Sequence, residues 1–71
     1  MSVDEVGKTV RSTRRSLGVT QRELAMAAGT GLRFVIDLEK GKATCELGKT
    51  LAVLSTLGVE VAFEKRDARG A

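Results

Sequence analysis

Thr20-Gln21-Arg22-Glu23-Leu24-Ala25, followed four residues after that alanine by Gly29, decides how this 71-residue chain folds. Thr20 and Glu23 stand three apart in a capping box, where each side chain takes the other's free backbone N–H. Val19 before the cap and Leu24 at the fourth helical position match a hydrophobic staple. The pattern predicts a helix over Gln21–Ala28, stopped by Gly29 because a left-handed residue ends a helix without steric penalty there. Two turns of helix do not persist alone in water, so neighbouring elements must hold this one.

On the C-terminal side a further helix is predicted from Gly31 to Lys40, with Gly41 as its stop. At 100° per residue Val35 and Leu38 define its inward direction, with Leu32, Phe34 and Glu39 on the borders. Arg33 and Lys40 point away, flanked by Ile36 and Asp37. On the N-terminal side Ser2-Val3-Asp4-Glu5 is a second capping-box pattern, and Val6, Val10 and Leu17 fall on one helical face before Gly18. Gly7 costs this helix about 1 kcal/mol relative to alanine and marks a first turn prone to fraying. Thr44 is placed to cap a fourth helix over Cys45–Leu57, with Glu46 in its first turn and Leu47, Leu51, Leu54 and Leu57 as its core stripe. After Gly58 the period changes to two: Val59, Val61 and Phe63 alternate with Glu60, Ala62 and Glu64, the pattern of a half-buried strand over 59–63. The reading is therefore one domain over 1–64 and a disordered basic tail over 65–71.

Composition bounds what such a domain can be. A chain this short buries only about 60% of its unfolded surface. One cysteine and no histidine leave no internal disulfide, no Cys/His zinc set and no imidazole base, so no metal or cofactor is expected. Cys45 reads as a small packing residue. No apolar run approaches the roughly 18 residues of a membrane span and Met1–Lys8 has no secretory pattern, so a soluble, cytoplasmic, non-enzymatic protein is expected. Net charge is +3, unevenly spread: residues 1–42 carry eight Lys/Arg against five Asp/Glu, and residues 43–64 one against three. Such an asymmetry suits a polyanion at the first half and protein at the second.

The two central helices meet the requirements of a helix-turn-helix. Ala25 offers a small side chain where they cross, Gly29 supplies the left-handed turn, Val35 and Leu38 face inward, and Leu24 and Ala28 complete the wedge. A recognition helix laid in the major groove presents its N-terminal residues to base edges, which makes Thr30, Gly31, Leu32, Arg33, Ile36 and Asp37 the candidates. Arg33 suits guanine O6 and N7, Leu32 or Ile36 a thymine methyl, and Asp37 a cytosine amine or the orientation of Arg33. Arg33 and Asp37 are also spaced i,i+4, as in a solvated ion pair. Thr20 and Gln21, at a helix N-terminus, suit phosphate oxygens, and Arg11, Arg22, Lys40 and Lys42 would add sequence-independent phosphate contacts.

The run Val19–Ala25, then Ala28-Gly29, then Leu38-Glu39-Lys40-Gly41-Lys42 resembles the xenobiotic-response-element group of helix-turn-helix regulators, which includes the lambdoid phage repressors and Cro. The resemblance implies a structural ion pair between Arg14 and Glu39, and a phosphate contact from Gln21. The expected fold is thus all-α, a four-helix lambda-repressor-like domain with a C-terminal β-strand. A lone strand cannot satisfy its ladder bonds internally, so pairing with a second copy is expected, with Val59, Val61, Phe63 and Leu57 in the dimer interface and an inverted-repeat operator as target. This architecture and the Leu57–Val61 stretch resemble the HipB-type antitoxins, which bind a toxin kinase and repress their own operon.

The expected function is therefore a homodimeric repressor of double-stranded DNA, the antitoxin of a bacterial toxin–antitoxin pair with a toxin protein as partner. Two alternatives remain: a stand-alone phage-type repressor, and an interaction adaptor that keeps the fold without binding DNA. The apolar Leu32, Phe34 and Ile36 depart from the polar recognition helix of the family and favour the adaptor.

Overall fold

The computed structural model describes residues 2–43 and 46–62. Within them run α1 (Val3–Ser16), α2 (Gln21–Ala28), α3 (Leu32–Glu39) and α4 (Leu47–Thr56). The expected Thr44 cap, Cys45, Phe63, and the tail over 65–71 lie outside the described residues.

Local chemistry sets the helix ends. Thr20 and Glu23 form the full capping box of α2: the Glu23 N–H donates to Thr20 Oγ1 at 3.0 Å and the Thr20 N–H to Glu23 Oε1 at 2.9 Å. The Thr20 N–H and then its hydroxyl hold the Glu23 carboxyl below its ordinary value. The cap's contribution is accordingly present above the unfolded-state pKa and fades as pH falls through the lower folded one. At Ser2 only half of the box forms, the Glu5 N–H donating to Ser2 Oγ at 3.2 Å. All four helices then end in one way. Gly18, Gly29, Gly41 and Gly58 have φ between 71° and 78°. In each case the glycine N–H bonds three residues back and the following N–H five back, as in Val59 to the Leu54 carbonyl at 2.9 Å.

That ending overturns the expected C-terminal strand. No β-strand is present among the described residues, and 59–62 carries no regular structure. Val59 is apolar because the residue after such a glycine packs back on the helix it terminates. Val59 and Val61 are half-buried against the chain's own core, beside Val6 and Leu54. Leu57, expected at a dimer interface, is itself in that core, 8% exposed. A period of two arose from a helix ending and a packed return, with no ladder left to complete. The fold is all-α.

The core joins Val10 of α1, Leu24 and Ala25 of α2, Val35 and Leu38 of α3, and Val53 and Leu54 of α4 with Leu57. α3 packs against both α1 and α2, and α4 against α2. The leucine stripe expected of the fourth helix is half wrong. The helix starts at Leu47 rather than Cys45, its buried arc runs through Val53, Leu54 and Leu57, and Leu47 and Leu51 lie outside that arc, 71% and 39% exposed. Leu17, expected on the inner face of α1, is also exposed.

Gly7 is where α1 meets the end of α3. It is buried, and a Cβ there would lie 2.5 Å from the Leu38 carbonyl oxygen and 3.0 Å from that of Glu39. The residue that weakens α1 locally is the one that lets two backbones touch. Beside this crossing the Arg14 guanidinium reaches Glu39, Nε to Oε2 at 2.6 Å and Nη2 to Oε1 at 3.1 Å, with side chains 12% and 4% exposed. Its Nη1 donates to the Val19 carbonyl at 2.8 Å. One side chain thereby ties α1 to the start of the helix-turn-helix and to its end.

Opposite signs are expected for one substitution at two glycines. Gly7→Ala should destabilise by about 1–3 kcal/mol through overpacking, despite the gain in helix propensity. Gly48→Ala, in α4 with nothing within 4 Å of the new methyl, should stabilise by about 0.5–1 kcal/mol. Denaturant melts check both, and a stabilised Gly7→Ala chain refutes the close crossing. Arg14→Met should cost about 3 kcal/mol by stranding Glu39, while Arg14→Met/Glu39→Leu should recover part of it. Thermal unfolding of the single and double variants measures that recovery.

Candidate nucleic-acid interface

Burial of Val35 and Leu38 fixes which way α3 faces, and its outer side carries the expected readers. Arg33 is exposed and has no ion partner among the described residues. Gly31 is exposed at the N-cap of α3, and the half-buried Thr30 donates from its hydroxyl to the Gly31 carbonyl at 3.4 Å. Leu32 and Ile36 are half-buried. Phe34 packs against the core, with the Lys49 ammonium 5.8 Å from its ring centroid.

The i,i+4 pair of Arg33 with Asp37 does not form. Asp37 lies instead 3.6 Å from the Lys42 ammonium, and the Lys42 N–H bonds the Asp37 carbonyl at 3.1 Å. The helix ending at Gly41 folds Lys42 back to within reach of Asp37. Arg33 keeps its whole guanidinium for another partner.

A shallow groove gathers a second set of residues. Arg11, Gln21, Ile36 and Lys40 line it over the Arg14–Glu39 pair. Gln21, the first residue of α2, donates from Nε2 to Glu39 Oε1 at 3.1 Å. Its side chain is thereby fixed beside the free backbone N–H groups of the helix N-terminus, where an anion is favoured. Lys42 does not join this set; it lines a different groove with Val3, Val6, Leu38, Leu47 and Thr50. Thr20 and Arg22 are exposed, the Thr20 hydroxyl already accepting the Glu23 N–H.

Two features escaped the sequence. The Gln21–Glu39 bond spans 18 residues and depends on how α2 crosses α3, so no local signal announces it. Lys8 and Arg15 line a further shallow groove with Arg11 and Ser12, and their three- and four-residue spacings from Arg11 were there to be read. Among the described residues no three His, Cys, Asp or Glu side chains come together as a metal site, and no helix is long and apolar enough to cross a membrane.

No protein-family model matches the chain. It is, however, 49% identical over 57 residues to an uncharacterized HTH-type transcriptional regulator, y4mF, of Sinorhizobium fredii, a match covering 80% of this chain and 75% of that relative. Half-identity across a stretch longer than all of α1 to α3, joined to a capped α2, a left-handed turn and an outward-facing α3, leaves one assignment: the chain belongs to the Cro-like family of HTH-type transcriptional regulators.

Proposed function

We propose that the chain is a sequence-specific repressor that binds an inverted-repeat operator as a homodimer. The observation that carries this reading is the exposed, unpaired Arg33 on α3, beside the groove of Arg11, Gln21 and Lys40. Arg33 reads guanine O6 and N7 in the major groove, and the rims of Leu32 and Ile36 cover thymine methyls. Thr30 and Gly31 bring the start of α3 close to the bases. Thr20 and Gln21 seat a phosphate at the N-terminus of α2, and Arg11 and Lys40 neutralise its neighbours. Arg22 and Lys42 contribute further charge, Lys42 less because Asp37 shares it.

The length of α3 supports a second copy. The eight residues of α3 span about 12 Å, the rise of only three or four base pairs. So short a half-site recurs everywhere in a genome, and a two-fold pair of helices squares its rarity. Since 59–62 folds onto its own protomer, this pairing uses another surface.

The narrower antitoxin reading drew on a C-terminal strand that the chain lacks among its described residues, so it now stands on the resemblance alone. Copurification with the product of an adjacent gene tests it. The adaptor reading loses weight with Phe34, whose ring is taken up by the core and by Lys49.

Arg33→Ala should lower affinity for the DNA upstream of the chain's own coding sequence by about 1–3 kcal/mol, roughly 5- to 150-fold, with random duplex unaffected. Titration against both duplexes decides it, and equal loss on the two removes Arg33 as a base reader. Sedimentation of the complex on the upstream DNA should give two chains per site; a single chain there ends the two-fold reading.

A further inference from the structure

We infer that α1 carries a second phosphate-binding row, Lys8, Arg11 and Arg15, which holds the backbone of the duplex flanking the half-site. The inference rests on the DNA-binding reading above and extends it to a surface outside the helix-turn-helix.

Steps of three and four residues put Lys8, Arg11 and Arg15 within about 60° of arc on α1, with Arg11 at the border nearer buried Gly7 and the row as a whole turned away from buried Val10. All three are exposed, and together with Ser12 they line one shallow groove. No carboxylate lies within 4.0 Å of any of them among the described residues. Arg11 also lines the groove of Gln21, Ile36 and Lys40. Arg11 is thus common to both grooves and links the cations of α1 to Gln21 at the start of α2 and Lys40 at the end of α3. From Lys8 to Arg15 the row is about 10 Å long, the rise of about three base pairs.

Helix stability does not account for this row. Like charges at i,i+3 and i,i+4 cost a helix a few tenths of a kcal/mol per pair. Arg15, in the last turn, is compensated by the helix dipole, whereas Lys8 and Arg11 are not. On a merely solvated face carboxylates would alternate with these cations, yet from Lys8 to the end of α1 there is none. Asp4, one turn before Lys8, closes the row where α1 turns against Gly41. An acidic protein surface could match the same charge, but continuity with the Gln21 groove favours the polyanion already at hand.

The test uses the full chain with Lys8→Ala/Arg15→Ala, two exposed positions whose loss should leave the melting curve unchanged. Its probes are the upstream duplex with ten base pairs on either side of the footprinted site, the same duplex trimmed to the site, and a random duplex. On the long duplexes, upstream and random alike, the variant should bind several-fold more weakly, and its log K against log salt slope should be shallower by about 2 per chain. On the trimmed duplex the two proteins should agree. Equal affinity and slope on the long duplexes overturn the inference while leaving the Arg33 reading intact, as does a defect confined to binding a copurifying acidic protein. Wild-type chain that binds none of the duplexes ends both.

Discussion

The Arg14–Glu39 pair settles the angle at which α3 leaves the body of the protein, and nearly everything functional inherits that angle. Its carboxylate accepts two bonds from Arg14 and one from Gln21, while Arg14 also holds the Val19 carbonyl. Three helices and the segment leading into α2 thus share one charge-paired node. Charges this well covered cost several kcal/mol to desolvate unless each remaining donor and acceptor is matched. Here the match is complete: no buried side-chain nitrogen or oxygen among the described residues lacks a partner. Gly7 makes the node possible by letting the α1 backbone lie against the last carbonyls of α3. A side chain at that point would push away the helix that Arg14 has to reach.

What was legible in the sequence was what local chemistry dictates. The Thr20–Glu23 box and the four helix-ending glycines act within five residues of themselves, so spacing alone reveals them. Val35 and Leu38 were legible because α3 is packed on a single side, which leaves a plain helical period. Leu47 and Leu51 were not, since a leucine at helical spacing looks the same whether its turn lies on the core or extends past it. The 59–63 alternation misled for a related reason. Two valines separated by a glutamate suit a strand, and equally suit a chain folding back over its own helix. Only the Val59 bond to Leu54, a tertiary fact in a local guise, separates the two. Gly7 was read by propensity, the right scale for an exposed helix and the wrong one for a crossing point.

The site divides along the same line. Arg33 stood out by facing away from Val35, a purely helical argument. The choice of Asp37 between Arg33 and Lys42 could not be made that way, because Lys42 comes back toward α3 only through the Gly41 turn. Gln21 was nameable as a helix N-terminal residue, but its tie to Glu39 makes the phosphate seat and the structural node one object. On the DNA-binding function proposed above, disturbing the node would displace the Gln21 phosphate contact by freeing the side chain that Glu39 holds.

A further constraint comes from how α3 spends its eight residues. Val35 and Leu38 are buried and Phe34 leans on the core; Glu39 is committed to Arg14, Asp37 to Lys42. Arg33 is the one exposed residue of the helix, with Leu32 and Ile36 offering only their rims. As the proposed reader of bases, a helix with a single free polar arm would have little hydrogen-bonding vocabulary: one guanine, with methyl contacts on either side, would account for most of what it could distinguish directly. On that proposal affinity would come from charges indifferent to sequence, and further discrimination from the width and bendability of the duplex they would grip. An abundance of unpaired cations outside α3 is the complement of that scarcity within it.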